Sequence, residues 1–88
     1  MSHLEKLRSD IDEIDKELTA LFEKRMNIVL EIAKLKEESH SPILDKSREE
    51  KIISKNSSYL NDKNYKEELA LFFNSILDIS KSIQAKRR

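Results

Sequence analysis

Residues 4–36 read LEKLRSDIDEIDKELTALFEKRMNIVLEIAKLK, and this stretch decides the fold. Its apolar residues are Leu4, Leu7, Ile11, Ile14, Leu18, Leu21, Ile28, Ile32 and Leu35, spaced by alternating steps of three and four with one omission, at position 25. Three or four residues return a helix to the same face, so these side chains form one apolar seam along a continuous α-helix. Ser2, with Glu5 three residues on, has the spacing of a capping box at the start. Pro42, after Ser39-His40-Ser41, ends the helix, because proline has no N–H to donate and its ring clashes with the preceding turn. The pattern predicts a first helix over residues 2–38, roughly 50 Å long at ~1.5 Å per residue.

Downstream, Asp45 is placed to cap a second helix over residues 45–57, with Ile52 and Ile53 as its apolar contacts and the polar run Asn56-Ser57-Ser58 at its end. A third helix is predicted over residues 63–86. Asn64 and Glu67 again have capping-box spacing, and Tyr65, Leu69, Phe72, Phe73, Ile76, Leu77, Ile79 and Ile83 are its apolar positions. The basic end Lys86-Arg87-Arg88 reads as frayed and solvated. The expected architecture is therefore all-α, a long-short-long set of three helices in one domain spanning residues 1–88.

Composition points the same way. Among 88 residues there is no glycine, no cysteine and one proline, which leaves little room for tight hairpins and none for glycine phosphate loops, disulfides or thiolate chemistry. Charged residues make up 39% and hydrophobic residues 38%, the profile of amphipathic helices. Seventeen Lys and Arg balance seventeen Asp and Glu, and a net charge of zero argues against nucleic acid as a partner. No apolar run is long enough to span a membrane, and the N-terminal residues lack the apolar core of a signal peptide, so a cytoplasmic location is expected.

Length bears on assembly. A compact 88-residue monomer should have a radius of gyration of roughly 12 Å and a diameter near ~30 Å. A helix of ~50 Å overhangs such a body, and its seam stays apolar to both ends. The inference is an intertwined homodimer in which two long helices run past each other, antiparallel by the common two-fold symmetry.

Written as pairs, the seam is 4/7, 11/14, 18/21, 25/28 and 32/35, and nine of the ten positions are aliphatic. The tenth is Arg25. A guanidinium on a buried seam costs several kcal/mol unless an anion pairs with it, and no acidic residue shares the seam. It could snorkel, or pair with a carboxylate of another helix. Other residues favour a ligand. Lys36, eleven positions later, returns to within about 20° of the face of Arg25, and Arg8 flanks the seam on the edge of Phe22, Val29 and Lys36. Ser80 and Gln84 continue the line Phe73–Leu77 on the third helix, while Asp45 and Glu49 share a face with Ile52 and Ile53 on the second. Taken singly, Lys36, Arg48 and Glu49 could be solvated surface, and Ser80 and Gln84 a hydrogen-bonded pair. As a set they are inward cations with few inward anions, which suits a compact polyanion such as a dicarboxylate. Arg8 and Arg25 are 17 residues apart, roughly 25 Å along one helix, so only an antiparallel partner could bring an Arg8 to an Arg25.

The order Arg8, Arg25, Lys36, Asp45, Arg48, Glu49, Ser80, Gln84 on long-short-long helices resembles the all-helical, AroQ-type chorismate mutases, and LRSDIDEIDKELTALFEKR and IAKLKEESHSPILDKSREEKI look like that family's two most recognisable segments. The resemblance implies an intertwined three-helix dimer that rearranges chorismate to prephenate, toward phenylalanine and tyrosine. This Claisen rearrangement needs no nucleophile, metal or organic cofactor, in keeping with a chain whose two histidines, His3 and His40, read as surface residues. By resemblance, Arg25 and the partner subunit's Arg8 bind the two substrate carboxylates, assisted by Arg48 and Ser80. Lys36 and Gln84 donate hydrogen bonds to the ether oxygen, and Glu49, with Asp45 nearby, receives the ring hydroxyl. Lys36, Gln84 and Glu49 are the expected catalytic residues. An isochorismate-pyruvate lyase on the same scaffold and a non-catalytic helical dimerisation module are the competing readings.

Overall fold

A computed structural model describes residues 2–42 and 45–87, with helices at His3–Glu38 (α1), Lys46–Ser58 (α2) and Lys66–Arg87 (α3), the last preceded by a single 3₁₀ turn at Lys63–Tyr65. Ile43 and Leu44, inside the second family-like segment, and Arg88, in the basic tail, lie outside the described residues. Among the described residues there is no strand, as the composition implies.

The start of α1 is set as its sequence predicts, with the Ser2 hydroxyl accepting the Glu5 N–H at 3.1 Å. Its end is set by a device that the sequence does not announce. The Ser41 N–H bonds the Lys36 carbonyl at 2.8 Å and the His40 N–H bonds the Glu37 carbonyl at 3.2 Å, the Schellman pattern. That pattern needs a left-handed residue between helix and loop, and in a chain without glycine His40 takes the position at φ 58°. The helix therefore closes immediately beyond Lys36.

Asp45 caps α2 by accepting the Arg48 N–H at 3.0 Å. At the other end of α2 the Lys63 ammonium donates to the carbonyls of Ser57 and Ser58, at 3.2 and 3.0 Å, neutralising the negative end of the helix dipole. The start of the third helix departs from the expectation. Asp62, not Asn64, supplies the cap, accepting the Asn64 N–H at 2.9 Å, and the chain makes one 3₁₀ turn before α3 begins at Lys66. An aspartate two residues ahead of an N–H closes a short Asx turn, which competes locally with the Asn64–Glu67 box. At its far end α3 runs through Arg87, one residue beyond the expected end at 86, and Lys86 is exposed to solvent.

α3 packs on both α1 and α2. Arg25 meets Ser80 and Val29 meets Gln84, so α1 and α3 run parallel where they touch. The intramolecular core is small: Met26, Val29 and Ala33 of α1 against Leu77 of α3. It lies beside the three-four seam of α1, not on it. The seam itself is uncovered within one chain, with Leu4, Ile11, Ile14 and Ile28 each at least half exposed and Leu21 and Leu35 at 62% and 65%. The body measures 55 × 26 × 15 Å with a radius of gyration of 16.3 Å, well above the ~12 Å of a compact chain this long. One chain leaves its principal apolar seam facing outward.

Candidate functional site

At about 100° per residue, Met26, Val29 and Ala33 point to one side of α1 and Ile28, Ile32 and Leu35 to the other. Arg25 and Lys36 fall between them, on the border of the buried face and the open seam. Both are half-buried. Arg25 Nη1 donates to Ser80 Oγ at 3.0 Å, and the Ser80 hydroxyl donates in turn to the Ile76 carbonyl at 2.7 Å. Ser80 is 6% exposed and Gln84 7%, two polar side chains in the middle of the packing. Gln84 Nε2 donates to the Val29 carbonyl at 3.0 Å, which leaves its amide one further N–H.

The electrostatics are lopsided. Among the described residues no carboxylate pairs with Arg25 or Arg48. Burial holds the Arg25 guanidinium below its usual value, and the nearby charge of Arg48 lowers it further. The sign matters for stability. A cation held below its unfolded value is harder to charge in the fold than in the unfolded chain, so the charged Arg25 costs folding free energy throughout the neutral range.

Glu49 of α2 faces α3, where the ammonium of Lys81 lies 3.2 Å from Oε2 and 3.5 Å from Oε1. The hydrogen bond to Glu49 raises Lys81 above its usual 10.5, against a smaller opposing effect of burial, and the charges of Glu49 and Asp78 add to the rise. A raised lysine stabilises the fold at and below neutral pH and loses that contribution only as pH climbs through the folded value. Sequence reading missed Lys81. Its position four residues beyond the buried Leu77 places it on the inward side of α3, and that spacing was the available signal.

Arg25 is thus joined to Ser80 and feels the charge of Arg48, Glu49 is held by Lys81 next to Ser80 in sequence, and Gln84 bonds α1 one turn beyond Arg25, with Lys36 on the same border of α1. Asp45 acts as the α2 cap, its carboxylate fixing the turn that carries Arg48 and Glu49. Arg8 stands apart. It is exposed on the N-terminal half of α1, roughly 25 Å along the helix from Arg25, and one chain does not bring it to the others. His3 and His40 are exposed, as read from the sequence, and among the described residues no three His, Cys, Asp or Glu side chains converge on a metal position.

Between α1 and α3 an open groove of about 470 Å³ runs up to Arg25, walled by Leu18, Leu21, Phe22, Phe72, Phe73 and Ile76. On this helical scaffold Arg25, with Arg48 near it, meets no carboxylate among the described residues and lies against the buried Ser80 hydroxyl, one helical turn from the Gln84 amide. The sequence pattern of the chorismate mutase type II family matches residues 7–85, and the chain belongs to that family. No curated protein matches the chain as an individual relative. Among the described residues no helix is long and apolar enough to cross a membrane.

Proposed function

We propose that the chain is a chorismate mutase that converts chorismate to prephenate in the cytoplasmic route to phenylalanine and tyrosine, working as a homodimer whose two sites each borrow an arginine. The observation that carries this reading is the half-buried Arg25, hydrogen-bonded to Ser80, set beside Arg48 and paired with no carboxylate among the described residues. A protein using α1 only for dimerisation gains nothing from a cation that burial makes costly. A dicarboxylate gives Arg25 and Arg48 the anions they lack.

Catalysis then rests on restriction and electrostatics. Arg25 and the partner subunit's Arg8 hold the two carboxylates of chorismate, with Arg48 and Ser80 assisting, in the folded conformation that brings the bonding carbons close. Lys36 and the second N–H of Gln84 face the ether oxygen, whose charge grows as the C–O bond breaks, so their hydrogen bonds strengthen on the way to the transition state. Glu49 accepts the ring hydroxyl. No proton has to move and no covalent intermediate forms. The exposed seam supports the dimer, since a single chain leaves Leu4, Leu7, Ile11, Ile14, Leu18 and Leu21 facing water. A second copy of α1, antiparallel to the first, covers them and carries Arg8 toward the groove that ends at Arg25.

The test is the loss of chorismate's ultraviolet absorbance on adding purified protein, with prephenate identified as the product. Because Gln84 donates as a neutral amide, the rate should persist at pH 7 and not depend on acid. Release of pyruvate from isochorismate without prephenate formation would reassign the site to the lyase reaction. A rate confined to acid pH would remove Gln84 from the ether-oxygen role.

A further inference from the structure

One ion pair inside this cluster has no part in the reading above. Lys81 reaches both oxygens of Glu49 from α3, one residue beyond Ser80 and three before Gln84, and is itself steadied by Asp78 at 3.6 Å. The side chains of Glu49 and Lys81 are only 23% and 32% exposed, so the pair is set well into the surface between α2 and α3.

A glutamate carboxylate meant to accept one hydroxyl hydrogen bond turns on three rotatable bonds and has four lone-pair positions, and in the proposed site it shares the space with a doubly negative ligand. Unheld, it would populate several rotamers, most of them useless as an acceptor, and its charge would oppose the ligand. An ammonium gripping both oxygens from the α3 side removes those faults together. It fixes the torsions, offsets the charge, and leaves the lone pairs on the opposite side to receive the hydroxyl.

We propose that Lys81 is a positioning residue, which fixes the Glu49 carboxylate as the acceptor for the substrate's ring hydroxyl by gripping both of its oxygens from α3. This rests on the chorismate reading of the site and deepens it by one residue. Lys81 touches no substrate atom. Its influence passes through Glu49, and that separates it from a surface lysine whose loss is merely a loss of charge or packing.

The experiment is a double-mutant cycle on the full chain, with Lys81→Met, Glu49→Gln and the combined variant, together with Lys81→Arg. Lys81→Met keeps the length of the apolar stem, so the packing of α3 on α2 is retained. Chorismate kinetics are read as kcat and KM separately, with thermal midpoints for each variant. Lys81→Met should lower kcat/KM about tenfold in the native background, the scale of one lost hydrogen bond to a charged group, and twofold or less when Glu49 is already Gln. Lys81→Arg should restore most of the loss. Equal losses in both backgrounds, or a fall in thermal midpoint that accounts for the loss, would overturn the positioning role while leaving the mutase reading intact. If the native chain transforms chorismate but Glu49→Gln changes nothing, the hydroxyl-acceptor role of Glu49 fails and Lys81 fails with it. If the native chain leaves chorismate untouched, it is the mutase reading that falls.

Discussion

Arg25→Leu should abolish most of the mutase activity, by about 10²- to 10³-fold, without lowering the thermal midpoint. The size of the activity loss follows from stranding a substrate carboxylate in a partly desolvated site, a penalty of about 3–4 kcal/mol. The stability expectation follows from the fold. Charging Arg25 is disfavoured by burial and by Arg48, so its removal relieves a cost. Among the described residues its side chain hydrogen-bonds Ser80, whose hydroxyl keeps its own acceptor in the Ile76 carbonyl and is not orphaned. Leucine at position 25 also completes the aliphatic seam between Leu21 and Ile28. Kinetics and thermal unfolding of the same preparation check both halves. A variant that unfolds would make Arg25 a structural partner, and the ligand reading would lose its main support. Function and stability pull in opposite directions at this residue, as expected where a site is set into packing.

The second large effect is expected at Lys36. Lys36→Ala should lower the turnover rate by ~10²-fold or more, by analogy with removal of one oxyanion donor. The fold should tolerate it. The termination of α1 uses the backbone carbonyl of Lys36, which accepts from the Ser41 N–H and the Ser39 hydroxyl, and an alanine keeps that carbonyl. Helical circular dichroism and molecular mass should therefore match the parent. An increase in KM with turnover unchanged would make Lys36 a carboxylate-binding group and not a donor to the ether oxygen.

How much of this was legible in the sequence depends on which force set each feature. The three-four rhythm of α1, its Ser2 cap, its end before Pro42 and the Asp45 cap of α2 are local and could be read directly. Asp62 was harder, because an Asx turn and a capping box two residues apart compete through similar local hydrogen bonds. The core face of α1 was hidden for a different reason. The C-terminal half of that helix carries two apolar faces, and periodicity favoured the longer seam, whereas α3 covers the shorter face of Met26, Val29 and Ala33. Arg25 stood out because it interrupts an aliphatic row. Its position on the border between the two faces could be known only once α3 was placed. The spacing from Leu77 could have marked Lys81 as inward-facing, but its pairing with Glu49 could be known only once α2 and α3 were packed together.

The central claim is that the cations of α1 await a dicarboxylate at a site completed by a second copy of the chain, and subunit mixing tests it most directly. Arg8→Ala and Arg25→Leu chains, each nearly inactive alone, should recover activity when unfolded together and refolded. Random pairing makes half of the dimers mixed, and each mixed dimer has one site with both arginines intact, so about a quarter of native activity per chain should return. Mixed preparations that stay as inactive as their components would contradict the shared site, and with it the account of why Arg8 and Arg25 stand so far apart on one helix.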